Sequence, residues 1–318
     1  MLAEKPHRAV VIAGPTAGGK SALALALARA CGGVIINADS QQRYRDLPIL
    51  TARPNDAEMA AAPHRLFADL GPDDSSSAAD WAARAEAEIR GVGDALPILV
   101  GGTGLYLRAL TEGLAYIPPV PDDVRVATRA LMDEIGNDAF HARLVARDPN
   151  AARLGAGDTQ RNLRAYEVLE SSGVSLWEWQ RRGNTARFPL RTFNILVLPP
   201  RADVIAACDT RFNAMIAAGA VDEVRALLGG GVARDAPVMR ILGAAQIADF
   251  LAGERTLDDA ITLAQAATRQ YAKRQSTWFR NQWEADVAVA EIFHDGARAA
   301  VVQKVREALL QSVDNWQN

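Results

Sequence analysis

Short, almost uninterrupted apolar runs recur through the first third of the chain: Ala9-Val10-Val11-Ile12-Ala13, Val34-Ile35-Ile36 and Pro97-Ile98-Leu99-Val100. Each is too short for a buried helix and is followed closely by turn-forming or polar residues, which predicts strands buried on both faces, the pattern of a parallel sheet. Between them, Ala22 to Arg29 is rich in alanine and leucine, and Asp80 to Arg90 follows Ser75-Ser76-Ser77, a ready N-cap; both predict helices. The pattern then changes. Tyr116-Ile117-Pro118-Pro119-Val120-Pro121 is stiff and helix-breaking, and Asp122 to Arg182 is polar and helical in pattern without a strand-like run. Thr192 to Leu198 is strand-like again, ahead of Pro199-Pro200, and long helices are predicted over Asp203 to Leu228 and Thr256 to Trp283, the latter opening on the cap Thr256-Leu257-Asp258-Asp259. The expected organisation is a sheet-and-helix core over 1–117, a helical insertion over 118–190, and a return to the core sheet and C-terminal helices over 191–318.

Composition narrows this only a little. The 318 residues, 49% apolar, suffice for one large or two modest domains. No apolar run approaches the ~20 residues of a membrane span, and Met1 to Pro6 lacks a signal-peptide layout, so the cytoplasm is expected and a membrane is not. Two cysteines, Cys31 and Cys208, make no disulfide framework and read as small buried hydrophobes; the four histidines are scattered. Nothing demands a second copy, and the chain is expected to act as a monomer.

Chemistry begins directly after the first predicted strand, at Gly14-Pro15-Thr16-Ala17-Gly18-Gly19-Lys20-Ser21. This is the phosphate-binding P-loop pattern: glycines let backbone N–H groups turn onto a phosphate, the lysine meets its outer oxygens, and the hydroxyl can hold Mg²⁺. The helix that follows points its N-terminal dipole at the anion. The fold class is therefore α/β, a P-loop NTPase-like parallel sheet covered by helices, with an all-helical insertion. In such sheets the ligand sits at the carboxyl ends of the strands, where Gly14, Asp39 and Gly101 to Gly104 converge.

Hydrolases of this architecture take part of their Mg²⁺ shell from an aspartate at another strand tip. Here the strand ending at Val100 runs into Gly101-Gly102-Thr103, and the carboxylate nearest the loop is Asp39, ahead of Ser40-Gln41-Gln42. Asp39 is thus a general base facing an acceptor, a displaced metal partner or a local cap, the first being favoured because its neighbours are uncharged hydrogen-bonders. Arg211 could reach back to neutralise a leaving diphosphate or pair with a neighbour such as Asp209. From Arg269 to Arg280 the chain reads RQYAKRQSTWFR, in which Lys273 is one of four cations among three aromatics; it suits nucleic acid, or is a solvated helix with its aromatics inside. The net charge of −3 does not by itself mark a nucleic-acid binder.

Several segments in series resemble the tRNA dimethylallyltransferases, also called tRNA isopentenyltransferases: GPTAGGKS at Gly14 to Ser21, Asp39-Ser40 with Tyr44-Arg45, Thr51-Ala52-Arg53-Pro54, Pro63-His64-Arg65-Leu66, VGGTGLY at Val100 to Tyr106, Gln160-Arg161 with Arg164-Ala165, and ATRQYAKRQSTW ending at Trp278. They span nearly the whole chain in the family's order. The resemblance implies transfer of a dimethylallyl group from dimethylallyl diphosphate to N6 of the adenosine immediately 3′ of the anticodon. It also implies Asp39 as base, Thr103 and Arg211 in the catalytic set, and the P-loop with Mg²⁺ on Ser21 binding the diphosphate. By the same resemblance the tRNA anticodon stem-loop is contacted by Asp39, Ser40, Gln41, Gln42, Thr103, Arg125, Gln160, Arg161, Asn162, Leu163, Arg164, Arg240, Ile241, Leu242, Gly243, Ala244, Ala245 and Gln246. With this context, a role near substrate or RNA is also expected for the segment carrying Lys273.

Three places depart from the family pattern. Arg43 stands where an apolar residue is common, Asp46 to Leu50 replaces a glycine-containing run with Arg53 for a lysine beyond it, and Ala244-Ala245 lacks the usual tyrosine and acid. The rival readings are an adenylate isopentenyltransferase with a free nucleotide as acceptor, a small-molecule kinase and a non-catalytic RNA-binding module.

Overall fold

The computed structural model describes residues 6–184, 188–292, 299–304 and 306–307. Two compact units are present, one built from the chain up to Leu110 and from Pro189 onward, the other Thr111–Phe188. The elements in chain order are β1 (His7–Ala13), α1 (Lys20–Cys31), β2 (Gly33–Asn37), α2 (Asp56–Ala61), β3 (His64–Arg65), α3 (Ala78–Gly91), β4 (Leu96–Gly101) and α4 (Gly104–Thr111). There follow α5 (Asp122–Arg147), α6 (Thr159–Ser172), α7 (Leu176–Arg181), β5 (Leu190–Val197), α8 (Arg201–Ala217), α9 (Ala220–Gly229), α10 (Ala244–Leu251), α11 (Leu257–Gln282) and β6 (Val287–Val289).

The first unit is a six-stranded parallel sheet in the order β3-β2-β4-β1-β5-β6, as the apolar runs predict. Central β1 is flanked on both sides, Val10 opposite Ile98 of β4 and Phe193 of β5. Ala9 to Ala13 are all at 0% exposure, so each large side chain there contributes roughly 1.5–3 kcal/mol of burial. β3 and β6, of two and three residues, are too short for a periodicity to announce them. The single helix expected over Asp203 to Leu228 is two: Gly219, at φ 103°, lets the chain turn, and α9 leaves α8 at 60°. The expected caps form, Ser77 Oγ accepting from Asp80 N–H and Thr256 Oγ1 from Asp259 N–H.

A second core lies outside the sheet. Leu47 and Leu50, after β2, pack with Phe212, Met215, Ala220, Val224 and Ile247. It anchors the long connection after β2, where the Glu223 carboxylate accepts from the N–H groups of Ile49 (2.7 Å) and Leu50 (3.1 Å).

Thr111–Phe188 contains no named strand among its described residues and folds round Met132, Phe140, Leu144, Leu163 and Tyr166. Its long α5 is broken at Gly136 (φ 78°, ψ 163°), an excursion open to glycine. Among the described residues, no single helix is long and apolar enough to cross a membrane.

Candidate active site

The P-loop leaves β1 at Gly14 (φ 147°), where a Cβ would lie 2.0 Å from the carbonyl oxygen of Val197, so β5 leaves room for glycine alone. The loop continues through Ala17 (φ 62°) and Gly19 (φ 88°) into α1. Lys20 is 8% exposed and donates from Nζ to the carbonyl of Pro15 at 2.7 Å. Burial pulls its pKa from 10.5 to about 8; the Asp39 carboxylate opposes that fall, and the Arg211 guanidinium adds to it. Loop amides, Lys20 and the exposed Ser21 line a cavity of about 350 Å³ with Asp39, Gln41, Gln42 and Arg211.

Asp39 is set by its neighbours. Fully buried Asn37, the last residue of β2, donates to the carbonyls of Asp39 (3.0 Å) and Leu66 (2.9 Å) and accepts from Asp39 N–H at 2.8 Å. The Asp39 carboxylate accepts from Gln41 N–H at 2.9 Å, closing a local turn rather than capping a helix. Thr103 completes the corner: its N–H donates to Ala38 C=O (3.1 Å), and its Oγ1 accepts from Ser40 N–H (3.0 Å). Gln42 Nε2 holds the carbonyls of Thr51 and Ala52, and Gln41 Oε1 accepts from Leu242 N–H at 3.3 Å, which brings the 240–246 segment to the same corner.

Of the two readings of Arg211, the structure chooses the inward one. Its guanidinium donates to Thr16 Oγ1 of the P-loop, while Asp209 pairs with Arg269 at 2.7 Å. Burial lowers the Arg211 pKa below the ordinary guanidinium value, with Asp39 working against that change.

Two residues escaped sequence reasoning. Within the 269–280 stretch, the cations Lys273, Arg274 and Arg280 are exposed, whereas Gln275 is 5% exposed and lies between the P-loop and Gly102. Tyr271 lines the cavity and hydrogen-bonds Thr103 and Ser40; burial, then the nearby Asp39 charge, push its phenol pKa up. The buried positions Thr268, Ala272, Gln275 and Phe279 recur at helical spacing and are the signal that could have found this face. Cys208 is buried as expected, but Cys31 is only half-buried, at the end of α1.

Several expected RNA contacts have side chains turned inward. Asn162 (0% exposed) donates to Gly155 C=O and its Oδ1 meets the His141 ring, while Leu163 belongs to the core of its unit. Ile241 and Ala244 are likewise buried, which leaves Arg240, Ala245 and, partly, Leu242 and Gln246 accessible in that segment. These buried side chains stabilise the fold, and an RNA could meet those positions through the backbone alone. In the other unit Arg125, Gln160 and Arg161 are exposed, and Arg164 is half-buried beside Glu167. Arg43, the departure from the family pattern, is fully buried, its guanidinium paired with Asp69 and bonded to Ser76. Burial works against that charge, yet the Asp69 carboxylate holds its pKa above the ordinary value.

Comparison with known proteins identifies the family. The family described as IPP transferase matches residues 42–282, and isopentenyl transferase matches 7–72. A tRNA dimethylallyltransferase of Paramagnetospirillum magneticum is 48% identical over 95% of this chain and 97% of its own, and one of Rhodospirillum centenum is 51% identical over 90% and 91%. Among solved structures, the tRNA isopentenylpyrophosphate transferase of Bacillus halodurans superposes with TM-score 0.68 at 30% identity, covering 98% of this chain and 100% of that one. A eukaryotic dimethylallyltransferase described as acting on tRNA gives TM-score 0.70 at 25% identity, over 86% and 70%. A family match over residues 42–282 and relatives about half identical over nearly the whole chain show that the chain belongs to the IPP transferase family of tRNA dimethylallyltransferases.

Proposed function

We propose that the chain is a cytoplasmic, monomeric tRNA dimethylallyltransferase, moving the dimethylallyl group of dimethylallyl diphosphate to N6 of the adenosine immediately 3′ of the anticodon. The observation that carries this reading is the joint lining of one cavity by a phosphate-binding loop with the buried Lys20 and the half-buried Arg211 and by Asp39 with its uncharged partners. The adenine amino group is a weak nucleophile because its lone pair is delocalised into the ring. As N6 bonds to C1 of the donor, the C1–O bond breaks, diphosphate departs and the N6 proton passes to Asp39. Lys20, Arg211 and the loop amides face the charge developing on the leaving group. Ser21 is exposed at the start of α1 in the same cavity and suits Mg²⁺, which keeps several waters and needs few protein ligands beside a diphosphate. The ion would supply further charge neutralisation on the diphosphate.

The acceptor must leave its stack to reach such a cavity, which costs least for a loop adenosine and suits the anticodon loop. The test is incubation with labelled dimethylallyl diphosphate, Mg²⁺ and unmodified tRNA, without ATP, followed by nucleoside analysis, beside an Asp39→Asn variant. Label in N6-dimethylallyladenosine for the native chain, with transfer lowered by at least ~100-fold in Asp39→Asn at unchanged tRNA affinity, is the expected result. No label in tRNA, but label in AMP when AMP is supplied, would move the acceptor to a free nucleotide. Full-rate transfer by Asp39→Asn would remove the base assignment.

A further inference from the structure

The Gln275 carboxamide makes two hydrogen bonds to chain segments far from it in sequence and close to the reaction. Its Oε1 accepts from Thr16 N–H in the P-loop at 2.8 Å, and its Nε2 donates to Gly102 C=O at 2.9 Å. The two bonds span 259 and 173 positions along the chain. Gly102 is followed directly by Thr103, which holds Ser40 N–H beside Asp39. Thr16 in turn carries the Arg211 guanidinium on its hydroxyl. One side chain of α11 therefore joins the loop expected to hold the donor to the loop that sets the acceptor corner.

The fit is close. A Cβ on Gly102 would lie 2.1 Å from Gln275 Nε2, so the glycine is what lets the amide reach the carbonyl. A neutral amide suits the place: it donates and accepts at once, whereas a carboxylate could not donate and an ammonium could not accept.

We infer that Gln275 is a positioning residue, setting the separation between the P-loop and the Gly102-Thr103 corner, and so between donor and acceptor. This inference rests on the transfer reaction proposed above. Misplacement of reacting groups by about 1 Å can cost ~100-fold in rate while leaving each substrate bound. A bridge of this kind therefore acts on kcat more than on either KM.

The experiment is steady-state transfer to tRNA by the full chain with Gln275→Leu, which keeps volume and loses both bonds. Gln275→Asn is the milder partner, because it is one methylene shorter and keeps one bond at most. Thermal melts check that each variant folds. The expected result for Gln275→Leu is a kcat lowered by about 30- to 100-fold, with the KM for dimethylallyl diphosphate and for tRNA each within about threefold of the native chain. Gln275→Asn falls between the two and keeps the inference testable should the leucine variant not fold. An undiminished kcat in either folded variant would overturn the inference, as would a loss lying wholly in donor KM, which would make Gln275 a part of the phosphate site. Absence of transfer by the native chain would overturn the proposed reaction and this inference together, while native transfer with unaffected variants would overturn the positioning role alone.

Discussion

The buried ammonium of Lys20 should make donor binding pH-dependent in a range where few other groups titrate. The fall from 10.5 to about 8 corresponds to ~3 kcal/mol against the charged form in the donor-free protein. Because the folded value lies below the unfolded one, the unfolded chain holds the extra proton between the two values. The donor-free protein therefore gains stability as pH rises through that window, and at neutral pH bears the whole cost. A bound diphosphate reverses the balance by placing its charge against the ammonium. Donor affinity should accordingly be level up to about pH 7 and, with some one in ten lysines still charged, ~10-fold weaker at about pH 9. The phosphate's own second ionisation, near ~6, is complete across that range. Lys20→Met should bind donor weakly with no such slope, and its donor-free form should be more stable at neutral pH by about 1–2 kcal/mol, after ~1 kcal/mol is subtracted for the lost bond to Pro15. Calorimetric titration of dimethylallyl diphosphate in buffers of different ionisation enthalpy reads the slope and the proton uptake together. Level affinity of the native chain from about pH 7 to 9, or the same slope in Lys20→Met, would refute the reasoning.

Two further outcomes are expected. Gly14→Ala forces a Cβ to 2.0 Å from Val197 C=O at a backbone angle that L residues rarely adopt; donor binding measured by the same calorimetry should be lost, and circular dichroism should show the sheet destabilised rather than helix content changed. Phe140→Ala empties the centre of the Thr111–Phe188 unit, where Phe140 is at 0% exposure beside Tyr166, and should cost that unit about 3–5 kcal/mol in chemical denaturation, with donor binding by the P-loop unaffected.

The sheet and the phosphate loop were legible because their signals are local. An apolar strand such as Val10 to Ala13 reads the same alone as in place, and the P-loop is contiguous. What depends on distant partners was not legible. In sequence Arg43 is only a cation where an apolar residue is common, and only the fold brings Asp69 to it, 26 positions on. The stretch Arg269 to Arg280 drew notice for its cations, which hid Gln275, since a glutamine at a core position carries no mark of what its amide meets. Asn162 and Leu163 sit in a segment matching the family, yet a shared motif does not separate residues kept for RNA from those kept for packing.

The tip of β4 carries no acid. The reason is steric: a Cβ on Gly101 would fall 2.1 Å from the backbone of Ala38, and one on Gly102 would strike Gln275. The tips of β2 and β4 pack backbone to backbone, so no side chain fits at the start of the Gly101-Gly102-Thr103 turn, and Thr103 is the first residue there able to offer a functional group. A carboxylate facing the cavity from this corner has to come from the β2 side, one residue beyond the contact, where Asp39 stands. The same contact that leaves no room for an acid at the tip of β4 thus sets Asp39 beside the P-loop, on the wall of the same cavity.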